Sequence, residues 1–358
     1  MTRRQQVTAF WLGGLLALVL MLFLFRQILL PFVAGAALAY ALDPAADWLE
    51  RNGFNRLAAT TTILTILIVV IAAILILLVP LLINQTIDFV QRLPSYVTRL
   101  QEMFGATLDS EWARFLGIDP DSIRASISGF MSRGVDLATA LIGSIWSGGR
   151  ALVDILSLLV VTPFVAFYLL RDWHPMIARL DRLLPRDQAE EIRRLAGEID
   201  NKVAAFVRGQ LLVGFLLGIF YATGLVSIGL NYGLLIGLGS GILSFIPYLG
   251  FTVGFVLSLI IALVQFWPDW VWLAATVMVF LVGQLIEGYI LQPRLIGRSV
   301  GLHPVWLIFS LLAFGLLFGF VGLLIAIPAA AAIGVLTRYG IERYRASPLF
   351  RGNGPSGM

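Results

Sequence analysis

Long apolar runs leave this chain few places to fold other than a lipid bilayer. Leu57–Ile83 contains no charged residue at all, and Phe10–Phe25, Ile28–Leu42, Ala151–Leu170, Gln210–Ile228 and Trp270–Leu291 are nearly as apolar. A helix crosses the hydrocarbon core with about 20 apolar residues, whereas a spanning strand takes about 10 with alternating polarity. These runs are continuous, not alternating, so they read as helices. Hydrophobic residues make up 59% of the chain and charged residues 13%, against about 25% charged in soluble domains. The expected fold class is an all-α polytopic membrane protein with about eight membrane segments.

Several function classes drop out on composition. The formal net charge is +4. In a membrane chain such a balance reports orientation and attraction to anionic lipid, and no basic patch with interleaved aromatics points to nucleic acid. There are no cysteines, so thiolate, disulfide and Cys-metal chemistry are excluded. The two histidines, His174 and His303, each precede a proline. No His-x-x-x-His, Gly-x-Ser-x-Gly or phosphate-loop pattern occurs. Gly237-Leu-Gly239-Ser-Gly241 lies in an apolar stretch, not in a nucleotide loop. The chain reads as a non-enzyme with no cofactor.

The runs divide the chain. Residues 1–83 hold three apolar segments. The first, Phe10–Phe25, is an uncleaved span, because Arg26-Gln27 follows it and apolar sequence resumes at Ile28. Residues 84–150 have charges throughout and no spanning run. Ile87, Val90, Val97, Leu100 and Phe104 recur at helical spacing there, as do Ile123, Ile127, Phe130, Leu137, Leu141 and Ile145. The pattern fits amphipathic helices on the membrane, on partner subunits, or in a packed hairpin outside it. Residues 151–207 combine a fourth span with a charged segment from 171 to 207. Residues 208–337 hold the remaining membrane segments, and 338–358 form a basic tail. Arginine placement puts both termini in the cytoplasm and 84–150 outside, with Arg26 as the one exception.

Two segments are interrupted: 232–266 at Pro247 and Gly250, and 304–337 at Gly315, Gly319, Gly322 and Pro328. Each follows a span bearing a glutamine, Gln210 or Gln284, and each contains Ile-Pro. Proline removes a backbone donor, and a carbonyl so freed inside a membrane must face protein, water or a ligand. The pattern fits an inverted repeat of broken helices around a midplane site. The two spacings differ, with 37 residues from Gln210 to Pro247 and 44 from Gln284 to Pro328. Gly229, Gly233, Gly237 and Gly241 fall four apart and would share one helix face, for close packing or for a backbone-lined path.

Glu287 is a carboxylate in an otherwise apolar run. A charge at the centre of a membrane helix costs about 2.5–3.5 kcal/mol on insertion scales. It shares a face with Gln284 and Leu291. Either it forms a fixed ion pair with Arg294 or Arg208, or it binds a proton, cation or solute. Arg208 opens the fifth span, where a long cation can snorkel. Gln210 lies deeper and is the stronger candidate for a solute contact. Asp154, near one end of the fourth span, suits a helix N-terminus.

These residues resemble the autoinducer-2 exporter (AI-2E) family across about residues 10–340. The stretches that carry the resemblance begin with Pro31-Phe32, Tyr40-Ala-Leu-Asp-Pro44, Phe167-Tyr168-Leu-Leu-Arg171-Asp172 and Phe206-Val-Arg208-Gly209-Gln210. Ile246-Pro247-Tyr248-Leu249-Gly250, Gln284 with Glu287 and Gln292-Pro293-Arg294-Leu-Ile-Gly297 follow. Gly301-Leu302-His303-Pro304 and Gly322 through Ile327-Pro328 complete the set. The resemblance implies a transporter of the bacterial inner membrane. Some relatives export the signalling molecule autoinducer-2, and others exchange sodium or lithium for protons. It also implies a homo-oligomer, plausibly a pentamer, with an elevator-like moving unit.

Three readings follow. One is secondary export of a small polar solute, contacted by Gln210 and Gln284 near Pro247, Gly250 and Pro328, with Glu287, Arg208 and Arg294 in coupling or gating. A second is cation/proton antiport. The third is a non-transporting scaffold or receptor using 84–150 as its binding module.

Overall fold

The computed structural model of the chain describes residues 20–108, 149–296 and 303–347, with Gly13, Gly14, Ala17, Gly129 and Phe350 as isolated positions. Residues 10–12, 15, 16, 18 and 19 of Phe10–Phe25, and 109–148 apart from Gly129, lie outside the described residues. Every regular element among the described residues is helical. After a short 3₁₀ turn at Arg26–Ile28 come α1 (Leu29–Arg51), α2 (Arg56–Leu108), α3 (Gly149–Asp181) and α4 (Ala189–Ser227). Then follow α5 (Gly233–Leu243), α6 (Leu249–Phe266), α7 (Trp270–Leu285), a π-helical segment (Ile286–Ile296) and α8 (Pro304–Ala346). Six helical stretches among the described residues are long and apolar enough to cross a membrane. The chain is an all-α, multi-pass membrane protein.

Helix α2 is one element of 53 residues, about 80 Å long, against a hydrocarbon core of about 30 Å. It does not end near Ile83. The amphipathic sequence from residue 84 to Leu108 continues the spanning helix as a projecting arm. From Thr65 to Ile83 the apolar part of α2 has no buried residue, and Ile76 and Leu77 are more than 70% accessible, as a lipid-facing helix requires.

The two interrupted segments break differently. In the first, α5 has only 11 residues, about 16 Å, roughly half the core thickness. A turn over 244–248 containing Pro247 then leads into α6, with Tyr248 in the left-handed region at φ 68°. The carbonyl of Leu243, which Pro247 leaves without its helical donor, is recovered by the Ile246 N–H at 3.0 Å. In the second, α8 breaks at Gly319 alone, at φ 63° and ψ −138°. Residues eight apart in a straight helix lie about 12 Å apart. Here a Cβ placed on Gly315 would meet the Leu323 side chain at 2.9 Å, and Gly322 lies against the Phe314 carbonyl. The chain therefore doubles back at Gly319. Pro328, expected as part of the break, sits inside the returning helix. The Ile-Pro pairs are thus not equivalent positions. Measured to the turns themselves, the separations agree: 36 residues from Gln210 to Ile246, and 35 from Gln284 to Gly319.

By contacts the chain forms two compact units. One holds the described residues up to Thr65, Ser157–Gln210 and those from Pro293 onward. In it, Gly35 of α1 lies so close to α3 that a Cβ would stand 2.8 Å from the Thr162 carbonyl oxygen. The Arg26 guanidinium donates to the Leu317 carbonyl at 3.3 Å, just before the Gly319 reversal. A carbonyl at a helix end needs such a partner, which gives Arg26 a structural reason for its place. The basic end of α8 meets the acidic start of α4 through Arg343–Glu191 (3.0 Å) and Arg338–Glu198 (3.3 Å).

The other unit holds Ile66–Leu156, as far as it is described, and Leu211–Gln292. Its centre is backbone packing between α4 and α5. A Cβ on Gly214 would meet the Gly241 carbonyl oxygen at 2.7 Å, and Gly237 abuts Ala222. Gly233, Gly237 and Gly241 all press on α4, whereas Gly229 lies in the preceding turn at φ 73°. Beside this seam Tyr221 stacks on Phe280 at 4.7 Å, and Phe251 and Phe255 meet Phe280 edge-on.

Candidate functional site

Glu287 lies in the second unit, one residue into the π-helical segment, and is 7% exposed. Pro293 explains the change of helix type. In an α-helix its ring would strike the Tyr289 carbonyl and leave it without a donor. Widening the ladder to i→i+5 relieves that clash, and such π turns concentrate at functional positions. The wider pitch also stacks residues five apart. The Gln292 amide accordingly donates to Glu287 Oε1 at 3.1 Å. Among the described residues Glu287 is the one carboxylate or basic side chain buried to this degree, and its polar partner is this neutral amide.

Gln284 is half-buried one turn before Glu287 on α7. Gly283 beside it is packed against the Tyr221 ring. The Tyr221 hydroxyl is buried with no hydrogen-bond partner, and it lies within electrostatic reach of Glu287. Sequence reasoning passed over Tyr221. Its signal was a hydroxyl-bearing aromatic inside the apolar stretch Leu211–Ile228. Pro247 and Gly250 belong to the same unit. Gly250 opens α6 against α5, where a Cβ would meet the Ser244 backbone nitrogen at 2.6 Å.

Arg208, Gln210, Arg294 and Pro328 belong to the first unit. Gln210 is 3% exposed. Between it and Arg208, Gly209 fits against the end of the π-helical segment, where a Cβ would stand 2.8 Å from the Leu295 carbonyl oxygen. Arg294 is exposed on that segment.

Arg208 has a defined partner that its sequence position did not reveal. Pro44 lacks an N–H, so the Tyr40 carbonyl four residues earlier has no helical donor. The Arg208 Nε supplies one at 2.6 Å, and its terminal nitrogen approaches Asp43 at 3.8 Å. The Tyr40 hydroxyl donates to Asp200 at 2.8 Å, so α1 and α4 are tied in both directions. Next to this clamp, Arg56 bonds Asp43 (2.7 Å), Asp47 (2.6 Å) and Glu50 (3.0 Å), while its Nε donates to the Leu170 carbonyl at 2.8 Å. Here three carboxylates and two guanidinium groups form a compensated network. It borders a cavity of about 200 Å³ lined by Tyr40, Trp173, Asp200 and Arg208.

Among the described residues no group of three or more His, Cys, Asp and Glu side chains could hold a metal ion. What the second unit offers is a secluded carboxylate, two side-chain amides and an unpartnered hydroxyl. Such a set can exchange a proton or hydrogen-bond a polar solute, and it has no built nucleophile and base pair.

Comparison with known proteins agrees over nearly the full length. The profile of the AI-2E family transporter matches residues 12–341. YrrI of Bacillus subtilis (strain 168), named as a candidate transport protein, is 28% identical over 317 residues, covering 87% of this chain and 86% of its own. PerM of Escherichia coli (strain K12), named as a candidate permease, is 29% identical over 319 residues, covering 87% of each. With a doubly broken all-α membrane fold and a family match from residue 12 to residue 341, the chain belongs to the AI-2E transporter family.

Proposed function

We propose that this protein is a secondary transporter of the bacterial inner membrane that exports a small polar solute, with proton or ion coupling at Glu287. The observation that carries the reading is Glu287 itself: a carboxylate 7% exposed, in a π-widened helix, answered by a neutral amide. Retaining an ionisable group inside a membrane segment is costly, and such groups mark proton and solute paths. In the second unit Gln284 and the Tyr221 hydroxyl supply solute contacts, and in the first Gln210 is a separate candidate contact. The broken segments with Pro247, Gly250 and Pro328 supply the adaptable backbone, and Arg208 and Arg294 gate it.

Both hairpins enter and leave the membrane on one side, since α5 and the 304–318 arm are too short to cross a core of about 30 Å. Residues 208–337 form the moving unit and 1–207 the scaffold, with both termini cytoplasmic. The family resemblance supports a homo-oligomer, plausibly a pentamer. Cation/proton antiport is the second reading, because a buried carboxylate in an irregular π-helical segment suits a small cation.

Purified protein in liposomes tests both readings. A panel of sugars, signalling molecules and cations is followed with and without a pH gradient. Gradient-dependent movement of a polar solute supports the first reading, sodium-dependent proton flux the second. Movement of nothing in the panel returns the chain to the scaffold or receptor reading.

A further inference from the structure

The projecting arm of α2 carries an unexplained polar face. Arg92, Ser95, Tyr96 and Arg99 are spaced i, i+3, i+4 and i+7, so they stand on one side of the helix. Facing them in the same unit are Asn231 and Gln265 of the first hairpin. The space between is an open cleft of about 580 Å³, within the range of small-ligand sites. Gln265 builds its wall: its Oε1 accepts from the Asn231 N–H at 2.8 Å, and its Nε2 donates to the Gly229 carbonyl at 2.7 Å. That holds the loop in place and leaves the Asn231 side chain exposed.

The cations are incompletely answered. Asp88 receives Arg92 Nε on one oxygen at 2.8 Å and the Tyr232 hydroxyl on the other at 2.6 Å. Both ends of that carboxylate are engaged, and the two terminal nitrogens of Arg92 remain for another acceptor. Arg99 is exposed and has no partner among the described residues. On the other side of Arg92 and Asn231 a second cleft of about 340 Å³ contains Gln85, whose Oε1 is buried without a donor. A packing face would be apolar. This one presents guanidinium donors and a carboxamide.

We propose that the cleft between Arg92–Arg99 and the Asn231 loop binds a small hydroxylated oxyanion of the phosphate type. Arg99 and the terminal nitrogens of Arg92 take the anionic oxygens, the geometry at which guanidinium groups excel. Ser95 and Asn231 hydrogen-bond the hydroxyls. The cleft's place as an antechamber to the Glu287 region rests on the transport reading; binding itself does not.

The test is equilibrium binding to the full chain in non-ionic detergent, with glucose 6-phosphate, inorganic phosphate and glucose as probes. The expected result is saturable, salt-sensitive binding of glucose 6-phosphate, at least tenfold tighter than glucose. Arg99→Gln should weaken it at least tenfold, while Arg51→Gln, an exposed cation in the other unit, leaves it unchanged. Arg99 has no partner among the described residues, so the variant should fold, which a matched melting curve verifies. Nanodiscs with and without phosphatidylglycerol identify the source. Competition between the lipid and glucose 6-phosphate that Arg99→Gln abolishes supports the site with a headgroup as its occupant. Absence of phosphate-dependent binding in both media, or binding indifferent to Arg99→Gln, overturns the proposal. Because the readout is binding, a protein that binds but moves nothing refutes the transport reading and leaves the cleft standing.

Discussion

The two units treat their most secluded acids in opposite ways. In the first, Asp43, Asp47 and Glu50 converge on Arg56, and Arg208 adds a second cation beside Asp43. In the second, Glu287 is more buried than any of them and receives one neutral hydrogen bond. A burial cost met by opposite charge holds a fold together. A burial cost met by an amide leaves the group free to change its proton or partner, and that freedom is what transport requires. On the proposed reading the Arg56 network does structural work and Glu287 chemical work.

Breaking the network should produce the largest change in stability. Arg56→Ala leaves Asp47 and Glu50 without their cation, Asp43 with only the approach of Arg208 at 3.8 Å, and the Leu170 carbonyl without its donor. The Arg56 side chain is 15% exposed and its partners 29–38%, so the loss falls below the fully buried range, at about 2–3 kcal/mol. A lowered melting temperature in detergent checks it. Arg208→Ala removes a charge-assisted bond to the Tyr40 carbonyl and should cost about 1.5–2 kcal/mol by the same readout. Were it to cost nothing while abolishing flux, Arg208 would move from the structural to the chemical side of the contrast.

Glu287→Gln should shift stability by no more than about 1 kcal/mol, and towards greater stability, because an amide is cheaper to bury than an unpaired carboxylate. A large destabilisation would place Glu287 with the structural acids. Smallest of all is Asp181→Asn. Arg193 bonds both oxygens of Asp181 at the exposed end of α3, at 2.6 and 3.0 Å, and holds its carboxyl below the usual range. Such a lowered carboxylate contributes above its unfolded-state value and loses that contribution as pH falls through its folded value. The pair is exposed and screened by salt, so melting curves of the variant at neutral pH should overlay the wild type.

Much of this was legible in the chain. Apolar runs of spanning length follow directly from the absence of water in a bilayer, so Leu57–Ile83 and its counterparts identify themselves. Glu287 was visible for the same reason, as a charge where charges are expensive. The Pro44–Tyr40–Arg208 clamp was not, because its members lie 168 residues apart and only the fold brings a freed carbonyl to a guanidinium. The break in α8 was offered by four residues at once. Gly319 took it because a lone positive-φ position reverses a chain, whereas Pro328 is accommodated within a helical turn. The π-helical segment was also hidden: Pro293 reads from sequence as a helix end, and the wider ladder that absorbs it keeps the helix going to Ile296. That one helix runs from the apolar segment through to Leu108 was not legible, because hydropathy marks where lipid stops and not where a helix does.

The central claim, that Glu287 couples transport to a proton or ion gradient, has one direct measurement. Once a solute is identified, wild type and Glu287→Gln are reconstituted at equal density and compared in two modes: solute exchange at equilibrium, and accumulation driven by an imposed gradient. The account predicts that Glu287→Gln retains exchange and loses gradient-driven accumulation. Accumulation at the wild-type level in Glu287→Gln would contradict it.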